Sequence, residues 1–289
     1  MRRIITRFVA KSQVRLFGDG RTAQVRSSPM EPSIYKYPDI FRRAHLERPG
    51  EIPAEVKFLE QVWKRHRKLP TRRILDIACG DSPHGRILAG DGFEVVGIDR
   101  SLTMLASGRA KGHAHRNLRF YRRAIEKFRL PERPFDAAIF MSETFPVIVE
   151  NVELLSHLRS VGRALKRGGL YCIDIDRQDT IHRVTRRTMW RERIARAGNV
   201  PLRIREFNRP IAWHSPLHSM YELECTIQFP DGSETTRDLI PIRYTLPSTL
   251  ELAALASGMF KMVAAYPDLS FTKSIDKCRY RWLGVLRRV

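Results

Sequence analysis

Apolar positions recur along the chain with two different periods, and these periods predict its helices and strands. Val56, Leu59 and Trp63 recur at three- and four-residue steps among charged residues, which predicts a helix over 53–66. From there to residue 176, short apolar runs alternate with helical patterns, as expected for a parallel sheet covered on both faces. The runs predict strands at 73–78, 93–98, 118–122, 135–141 and 170–175, and the patterns predict helices from about 83, from about 102 and over 151–166.

The pattern changes after residue 176. Residues 177–209 are rich in arginine and their first part reads as helical, whereas 203–244 reads as extended segments. Asp231 and Gly232 form a turn signal that predicts a β-hairpin. We therefore expect a β-rich insertion at about 203–244.

The C-terminal part predicts one helix and two strands. The helix is expected to start at Ser248, with Glu251 as its capping-box partner, and to stop at Gly258. The runs near 259–266 and 278–286 have no helix between them, so we expect these strands to pair antiparallel.

Composition adds a strong positive charge to this picture. The chain has 289 residues, 43% of them hydrophobic, and a formal net charge of +21. This charge favours nucleic acid, anionic membranes or acidic small molecules as partners, but it does not bear on the fold. No apolar run approaches the ~20 residues that cross a bilayer, so we expect a soluble, cytoplasmic protein without a membrane span.

The first 29 residues are basic and contain a single acid. This composition is typical of a mitochondrial transit peptide, of a disordered basic arm, or of an upstream start codon where Met30 is the true start. We favour one of the last two. The predicted organisation is therefore an arm at 1–29 followed by one domain at 30–289.

The cysteines predict no chemistry. They are far apart in sequence and lack metal-type spacing, so we expect reduced structural thiols and no metal site. They are Cys79, Cys172, Cys225 and Cys278.

The segment "ILDIACGDSPHGRIL", residues 74–88, predicts a nucleotide-binding bend between a strand and a helix. The strand reaches Asp76, small residues follow, and the helix can begin with Ser82 as its cap and Pro83 in its first position. A phosphate-binding loop would need a Lys-Ser or Lys-Thr ending, and a dinucleotide loop would need G-x-G-x-x-G. Neither is present.

The charge of the bend favours a cationic ligand. A diphosphate would face Asp76 and Asp81 with no cation to offset them, whereas an ammonium and a sulfonium would be attracted. S-adenosylmethionine (SAM) carries both groups, and we expect it as the cofactor. Asp99, at the end of the next strand, is placed to take the ribose hydroxyls of that cofactor.

At this point the sequence resembles the class I SAM-dependent methyltransferase superfamily, over about residues 33–289. It is most similar to small-molecule enzymes with a β-rich insertion. The resemblance implies an α/β, Rossmann-like fold with a mostly parallel seven-stranded sheet, an antiparallel last strand and a small antiparallel β insertion. The segments that carry it are "ILDIACGDSPHGRIL", "VVGIDRSLTMLASGR", "RPFDAAIFMSETF", "LRSVGRALKRGGLYCIDID" and "IYKYPDIF".

The resemblance also implies a set of site residues. The methionine end of SAM would be lined by Asp76, Ala78, Gly80, Ser82 and Met141, the ribose would bind Asp99, and the adenine would lie along Arg100. Tyr35 and Tyr37 match an aromatic segment that closes over the site in similar enzymes, and residues 142–145 would reach toward the acceptor.

Two departures from the superfamily pattern stand out. Ala78 and Ser82 occupy positions that are usually glycine, and both are small enough for close approach of the backbone. Ala124 stands where an acid usually contacts the adenine amino group, and Ile125 or Glu126 is expected to substitute for it.

Methyl transfer from a sulfonium requires alignment of the partners, and it requires a general base only if the acceptor arrives protonated. We expect Glu143 and Tyr35 to contact the acceptor, and we read His84 as a surface or packing residue. The predicted function is methyl transfer to a small-molecule acceptor. Its acceptor atom and the oligomeric state of the protein are left open by the sequence.

The alternative is a catalytically degenerate protein of this fold that binds RNA or an acidic partner through its basic surface. "MSETFPV" lacks the Asn/Asp-Pro-Pro-aromatic loop of DNA amino-methylating enzymes, so that class is excluded while nucleic acid remains a possible, disfavoured partner. Four arginines could form an anion-binding face or a solvated helix, and we favour the helix. They are Arg186, Arg187, Arg191 and Arg193.

Overall fold

The computed structural model describes residues 3–8, 33–45, 50–67, 69–132, 134–176, 187–197, 200–209, 218–230 and 232–289. The helices are α1 (Pro38–His45), α2 (Glu51–His66), α3 (Pro83–Gly90), α4 (Leu102–Lys111), α5 (Asn151–Ala164) and α6 (Pro247–Ser257). The strands are β1 (Arg3–Phe8), β2 (Arg73–Ile77), β3 (Glu94–Asp99), β4 (Leu118–Arg122), β5 (Phe135–Phe140), β6 (Leu165–Asp176), β7 (Thr188–Ala197), β8 (Val200–Arg209), β9 (His218–Phe229), β10 (Gly232–Arg243), β11 (Phe260–Pro267) and β12 (Arg281–Arg288).

The chain divides into two compact units. The larger unit comprises Arg48–Gln178 with Thr245–Val289, and the smaller unit comprises Met1–Glu47 with Asp179–Tyr244.

The larger unit contains a seven-stranded sheet in the order β11-β12-β6-β5-β2-β3-β4. The strands β2 to β6 run parallel to one another, and β12 lies antiparallel to both β6 and β11. The predicted α/β, Rossmann-like fold with an antiparallel last strand is therefore confirmed, and so is the antiparallel pairing of the last two strands.

The period-two alternation of β2 and β5 explains why helices cover both faces of this sheet. Leu75 and Ala138 face a core that includes α5 and α6, whereas Ile74 and Ala137 face a second core that includes α2 and α3. All six residues of β5 are buried, as expected for a central parallel strand.

The start of α6 corrects one prediction. The helix begins at Pro247 with Leu246 as its cap residue, and no side chain caps it, so the capping box of Ser248 and Glu251 does not form. Proline fits this first position because its fixed φ is helical and its missing N–H would have no partner there. The predicted stop at Gly258 is confirmed, with a left-handed φ of 70°.

The smaller unit contains a five-stranded sheet in the order β1-β10-β9-β8-β7, antiparallel except for β1. Phe229 pairs with Gly232, which confirms the predicted hairpin at this turn. Apolar side chains of β8 and β9 share one face and pack against Ile34 and Ile40.

The antiparallel sheet begins earlier than the predicted insertion at about 203–244. Residues 188–197 form β7 and not a helix, while 177–186 lie outside the described residues. Paired charges between neighbouring strands, such as Arg193 with Glu206 at 2.9 Å, outweigh the helix propensity of this arginine-rich stretch.

Of the predicted basic arm at 1–29, only residues 3–8 belong to the described residues, and they form β1 beside β10. The division into an arm and a domain at 30–289 stays a prediction. Among the described residues, no helix is long and apolar enough to cross a bilayer.

Candidate active site

The bend that follows β2 is built from residues in the left-handed region of backbone space. Ala78, Gly80 and Ser82 have φ values of 51°, 55° and 54°. For residues other than glycine this conformation costs about 1–3 kcal/mol each, and such strain is concentrated at functional sites. The backbone therefore turns tightly at every second residue from 78 to 82, and small residues occupy these positions.

Ser82 lies at the cap position of α3 but does not act as the predicted cap. Its left-handed backbone takes the hydroxyl away from the first helical N–H groups, and no side-chain cap forms. The Ser82 hydroxyl instead donates a hydrogen bond to Asp76 Oδ2 at 2.8 Å. The serine thus fixes the orientation of the carboxylate at the end of β2. Pro83 occupies the first helical position, as predicted.

Asp99 connects the end of β3 to the bend. Its Oδ2 accepts a hydrogen bond from the Gly80 N–H at 2.9 Å, and its Oδ1 accepts one from the Ser101 N–H at 2.8 Å. The parallel pairing of β2 with β3 places Asp76 opposite Gly97, so both acids lie at the carboxyl edge of the sheet.

Burial raises the pKa of both acids. Desolvation is the largest cause for Asp76 and raises its pKa to about 6, against the lowering effects of His84 and Ser82. Desolvation also raises the pKa of Asp99, although backbone hydrogen bonds oppose it. A positive charge placed beside either acid would therefore favour its ionised form, as expected for a site that binds a cation.

The surroundings of Asp81 differ from the prediction that no cation lies near the acids of the bend. Its Oδ2 lies 2.7 Å from Lys111 Nζ and 3.7 Å from Arg86 Nη1, and its side chain is fully buried. The prediction that no cation offsets Asp81 is therefore wrong: Lys111 lies outside the motif, and Arg86, which lies inside it, was not counted. The negative character of the bend rests on Asp76 and Asp99.

A chain of buried charged groups extends from the bend to β12. His84 Nε2 lies 2.5 Å from Glu55 Oε2, Glu55 contacts Arg281 Nη2 at 2.6 Å, and Arg281 Nη1 contacts Asp174 Oδ2 at 3.1 Å. Desolvation opposes the charge on His84, but the hydrogen bond and the charge of Glu55 outweigh it and raise the pKa of His84.

Of these four charged residues, Glu55, Asp174 and Arg281 were not predicted from the sequence. Glu55 interrupts the apolar face of α2, and Asp174 interrupts the apolar run of β6, so a buried acid inside an apolar pattern is the signal that could have found them. His84 is a buried, ion-paired residue, whereas the sequence left open a surface position.

Glu143 follows β5 in a tight turn. Ser142 and Glu143 have φ values of 60° and 54°, and the Glu143 side chain is exposed. Desolvation, followed by repulsion from Asp174 and Asp176, raises the pKa of Glu143 to about 8.

The other residues predicted for the site lie in several environments. The side chains of Met141 and Ile125 are buried in the two cores. Ala124 is exposed, and Arg100 is half-buried directly after β3. Tyr35 belongs to the smaller unit, where its ring packs against Phe41 at 4.7 Å.

The four arginines were expected on a solvated helix, with an anion-binding face as the alternative; Arg191 and Arg193 lie instead on the strand β7. Arg187 and Arg193 form ion pairs at 2.9 Å with the buried carboxylates of Glu222 and Glu206. The side chains of the other two arginines lie outside the described part of the chain. The two described arginines therefore offer little uncompensated charge to an external anion.

Comparisons with known proteins agree with this fold. Residues 74–169 match the family model of the methyltransferase domain. A Geobacillus protein named "Putative methyltransferase" is 27% identical over 132 residues, which cover 44% of this chain and 52% of that protein. The chain spans about half the length of the curated relatives it matches.

Two solved structures extend the likeness to most of the chain. A SAM-dependent methyltransferase from Clostridium acetobutylicum has 16% identity and a TM-score of 0.69, covering 86% of this chain and 95% of that one. The sugar N-methyltransferase KedS8 from Streptoalloteichus has 20% identity and a TM-score of 0.69, covering 93% and 100%. Residues 74–169 are thus similar to a methyltransferase domain, and the two solved structures share the fold of this chain.

Proposed function

We propose that the protein is a SAM-dependent methyltransferase that acts on a small-molecule acceptor. The observation that carries this proposal is the bend itself. Asp76 and Asp99 lie at one sheet edge, and Gly80 between them brings its backbone N–H to the Asp99 carboxylate at 2.9 Å. Such an edge, at the carboxyl end of parallel strands, is where open α/β sheets bind ligands.

The residues at this edge fit the charges of SAM. Asp76 would bind the amino group, since its carboxylate is buried, oriented by Ser82 and stabilised by an added cation. Asp99 would accept hydrogen bonds from the ribose hydroxyls, because a carboxylate has about four acceptor positions and three backbone N–H groups, those of Gly80, Arg100 and Ser101, act on this one. The remaining contacts are assigned to Ala78, Gly80, Ser82, Arg100, Ala124, Ile125 and Met141.

The bound cofactor would supply a methyl group on a positively charged sulfur. The task of the chain is then to hold the acceptor in line and to exclude water. Glu143 lies beyond the end of β5 with an exposed side chain, which supports its role in binding the acceptor. The contact of Tyr35 with the acceptor stays a prediction from the sequence.

The choice of a small acceptor is supported by the likeness to KedS8, which is named a sugar N-methyltransferase. A cytoplasmic location is supported by the four buried cysteines, each a free thiol.

One observation favours the alternative of a binding protein for RNA or an acidic partner. Residues 100–129 contain nine lysines and arginines against the single acid Glu126. They surround β4, the edge strand of the large sheet. Such a binding protein should bind heparin in a strongly salt-dependent manner and should give no heat with SAM.

Calorimetric titration with SAM tests the proposal. We expect binding by the native chain and its loss in Asp99→Ala, with the fold intact by circular dichroism. Asp91→Ala is the matched control, because Asp91 is an exposed aspartate outside the site and should leave binding unchanged. Absence of heat at millimolar SAM in the native chain would rule the proposal out.

A further inference from the structure

The order of the strands places the segment that follows β4 beside the proposed cofactor. In the large sheet β3 lies between β2 and β4, and the three strands run parallel. Because Asp76 of β2 is proposed to bind the amino group and Asp99 of β3 the ribose, the base should extend toward the end of β4. The Arg123 N–H donates a hydrogen bond to the Asp99 carbonyl at 2.9 Å, so this segment starts directly beside Asp99. We define residues 123–128 as the β4 loop.

The β4 loop has no regular secondary structure, so its conformation depends on contacts with other elements. Two of its backbone groups bind side chains of α5. The Ile125 carbonyl lies 2.7 Å from His157 Nδ1. The Phe128 N–H donates to Ser160 Oγ at 3.3 Å. The side chains of Ile125 and Phe128 are also buried in one core with apolar residues of α5, so this helix supports the loop from the core side.

The hydrogen bonds of His157 assign its protons. A carbonyl oxygen can only accept, so Nδ1 carries the hydrogen that binds Ile125. Burial lowers the pKa of His157 to about 4, so the ring is neutral at pH 7 and Nε2 is an acceptor. Burial also raises the pKa of Tyr171, whose protonated hydroxyl therefore donates to Nε2 at 2.7 Å. Each nitrogen of this fully buried ring thus has one defined partner.

Packing fixes the orientation of the same ring. The centroid of the His157 ring lies 5.8 Å from that of Phe140 and 6.0 Å from that of Phe145. Phe145 ends the segment 142–145 that was predicted to reach toward the acceptor. A side chain that is locked by packing and by hydrogen bonds can hold a binding segment in one conformation.

We propose that His157 is a positioning residue for the cofactor, which holds the β4 loop in the conformation that receives the base. This inference rests on the proposed methyltransferase function. His157 acts through Ile125, whose carbonyl and side chain both lie on the core side of the loop. The exposed Ala124 has no polar side-chain group, so contacts with the base depend all the more on the backbone of the loop.

Calorimetric titration of the full chain with S-adenosylhomocysteine tests the proposal. His157→Phe keeps a ring in the core but removes both hydrogen bonds, and it should weaken binding about tenfold because the loop loses its anchor. Tyr171→Phe is the matched control, because it breaks the other hydrogen bond of the imidazole and leaves the one to Ile125. This control should lower the free energy of unfolding and yet bind S-adenosylhomocysteine as the native chain does.

A third variant separates positioning from stability. The side-chain amide of asparagine can donate in place of Nδ1, so His157→Asn should recover part of the affinity that His157→Phe loses. A role in stability alone predicts the opposite order, because asparagine leaves a cavity in the core and phenylalanine fills it. Urea unfolding of both variants supplies the stabilities for this comparison.

Ser160 provides a second test that does not depend on the folding of the His157 variants. Ser160→Ala removes the acceptor of the Phe128 N–H and should weaken binding by about two- to fivefold. Ser156→Ala changes a half-buried serine one turn earlier in α5, and as the control it should leave binding unchanged.

The outcomes distinguish the two proposals. Absence of S-adenosylhomocysteine binding by the native chain would overturn the proposed function and this inference together. Binding by the native chain with equal affinities in His157→Phe and Tyr171→Phe would overturn this inference alone. Unchanged affinity in Ser160→Ala would do the same, and it decides the matter where the His157 variants do not fold.

Discussion

The Asp99 carboxylate accepts a hydrogen bond from the Gly80 N–H at 2.9 Å, so the end of β3 holds the bend that follows β2. A second backbone N–H, from Ser101, binds the other oxygen at 2.8 Å. One side chain thus serves both the fold and the proposed ribose contact, and the two roles can be measured separately.

Asp99→Ala should lower the free energy of unfolding by about 2–3 kcal/mol, because it leaves the N–H groups of Gly80 and Ser101 without their charged acceptor. Urea unfolding of the variant and of Asp91→Ala measures this loss. Equal stability of the two variants would show that the Asp99 hydrogen bonds do not support the bend.

Gly85 is expected to tolerate no side chain. A Cβ there would overlap the Ser82 hydroxyl and lie 3.2 Å from Asp76 Oδ2. We expect Gly85→Ala to cost about 1–3 kcal/mol of stability and to weaken SAM binding. Gly90→Ala, in the same helix, is the control, since its Cβ would meet only His115 at 3.7 Å. Similar stability and affinity in both variants would contradict the proposed role of Ser82.

The pair of Glu55 and His84 is buried, so removal of one partner leaves an uncompensated charge. Glu55→Gln should cost about 3–5 kcal/mol of stability. The folded pKa of His84 is raised above 6.5, so its contribution is complete below pH 6.5 and is lost as the pH rises through the folded value. The folded pKa of Glu55 is lowered, so its contribution is complete above pH 4.5 and is lost on acidification.

Denaturant unfolding across the pH range checks this pair. The difference between the native chain and Glu55→Gln should be largest between about pH 4.5 and 6.5, where both groups contribute fully. A difference that is constant from pH 4 to pH 9 would show that the pair does not titrate as expected.

Glu143 should make the folded protein less stable as the pH rises. Its folded pKa of about 8 lies above the ordinary value of 4.5, so its contribution is complete below pH 4.5 and is lost as the pH rises to about 8. In Glu143→Gln this loss is absent, and the melting temperature of the variant should gain on that of the native chain from pH 5 to pH 9. A parallel pH course of the native chain and Glu143→Gln would refute the strong influence of Asp174 and Asp176.

The fold of the larger unit could be predicted from the sequence, because the period of its apolar positions and the order of its helices and strands indicate that fold. Apolar runs of five to six residues between helical stripes favour a parallel sheet covered on both faces, and Asp76 and Asp99 lie where two of these strands end. The partner Lys111 of Asp81 could not be found in this way, because it comes close only through the packing of α4, whereas Arg86 lies within the motif. The same holds for Arg281 and Asp174, which are distant in sequence and meet through the pairing of β6 with β12.

The smaller unit was harder to predict, because the pattern of charged residues along its strands is also compatible with a helix. In β7 the adjacent residues Glu192 and Arg193 are both ion-paired, and their partners lie on the neighbouring strand β8. Likewise Ser82 has the residue type of a helix cap, but its left-handed backbone depends on the bend as a whole.

The structure of the complex with S-adenosylhomocysteine tests the central claim most directly. We predict that the ligand amino group lies within hydrogen-bonding distance of Asp76 and that the ribose hydroxyls contact Asp99. A ligand bound away from these two carboxylates, or a bend whose own side chains fill that space, would contradict the account.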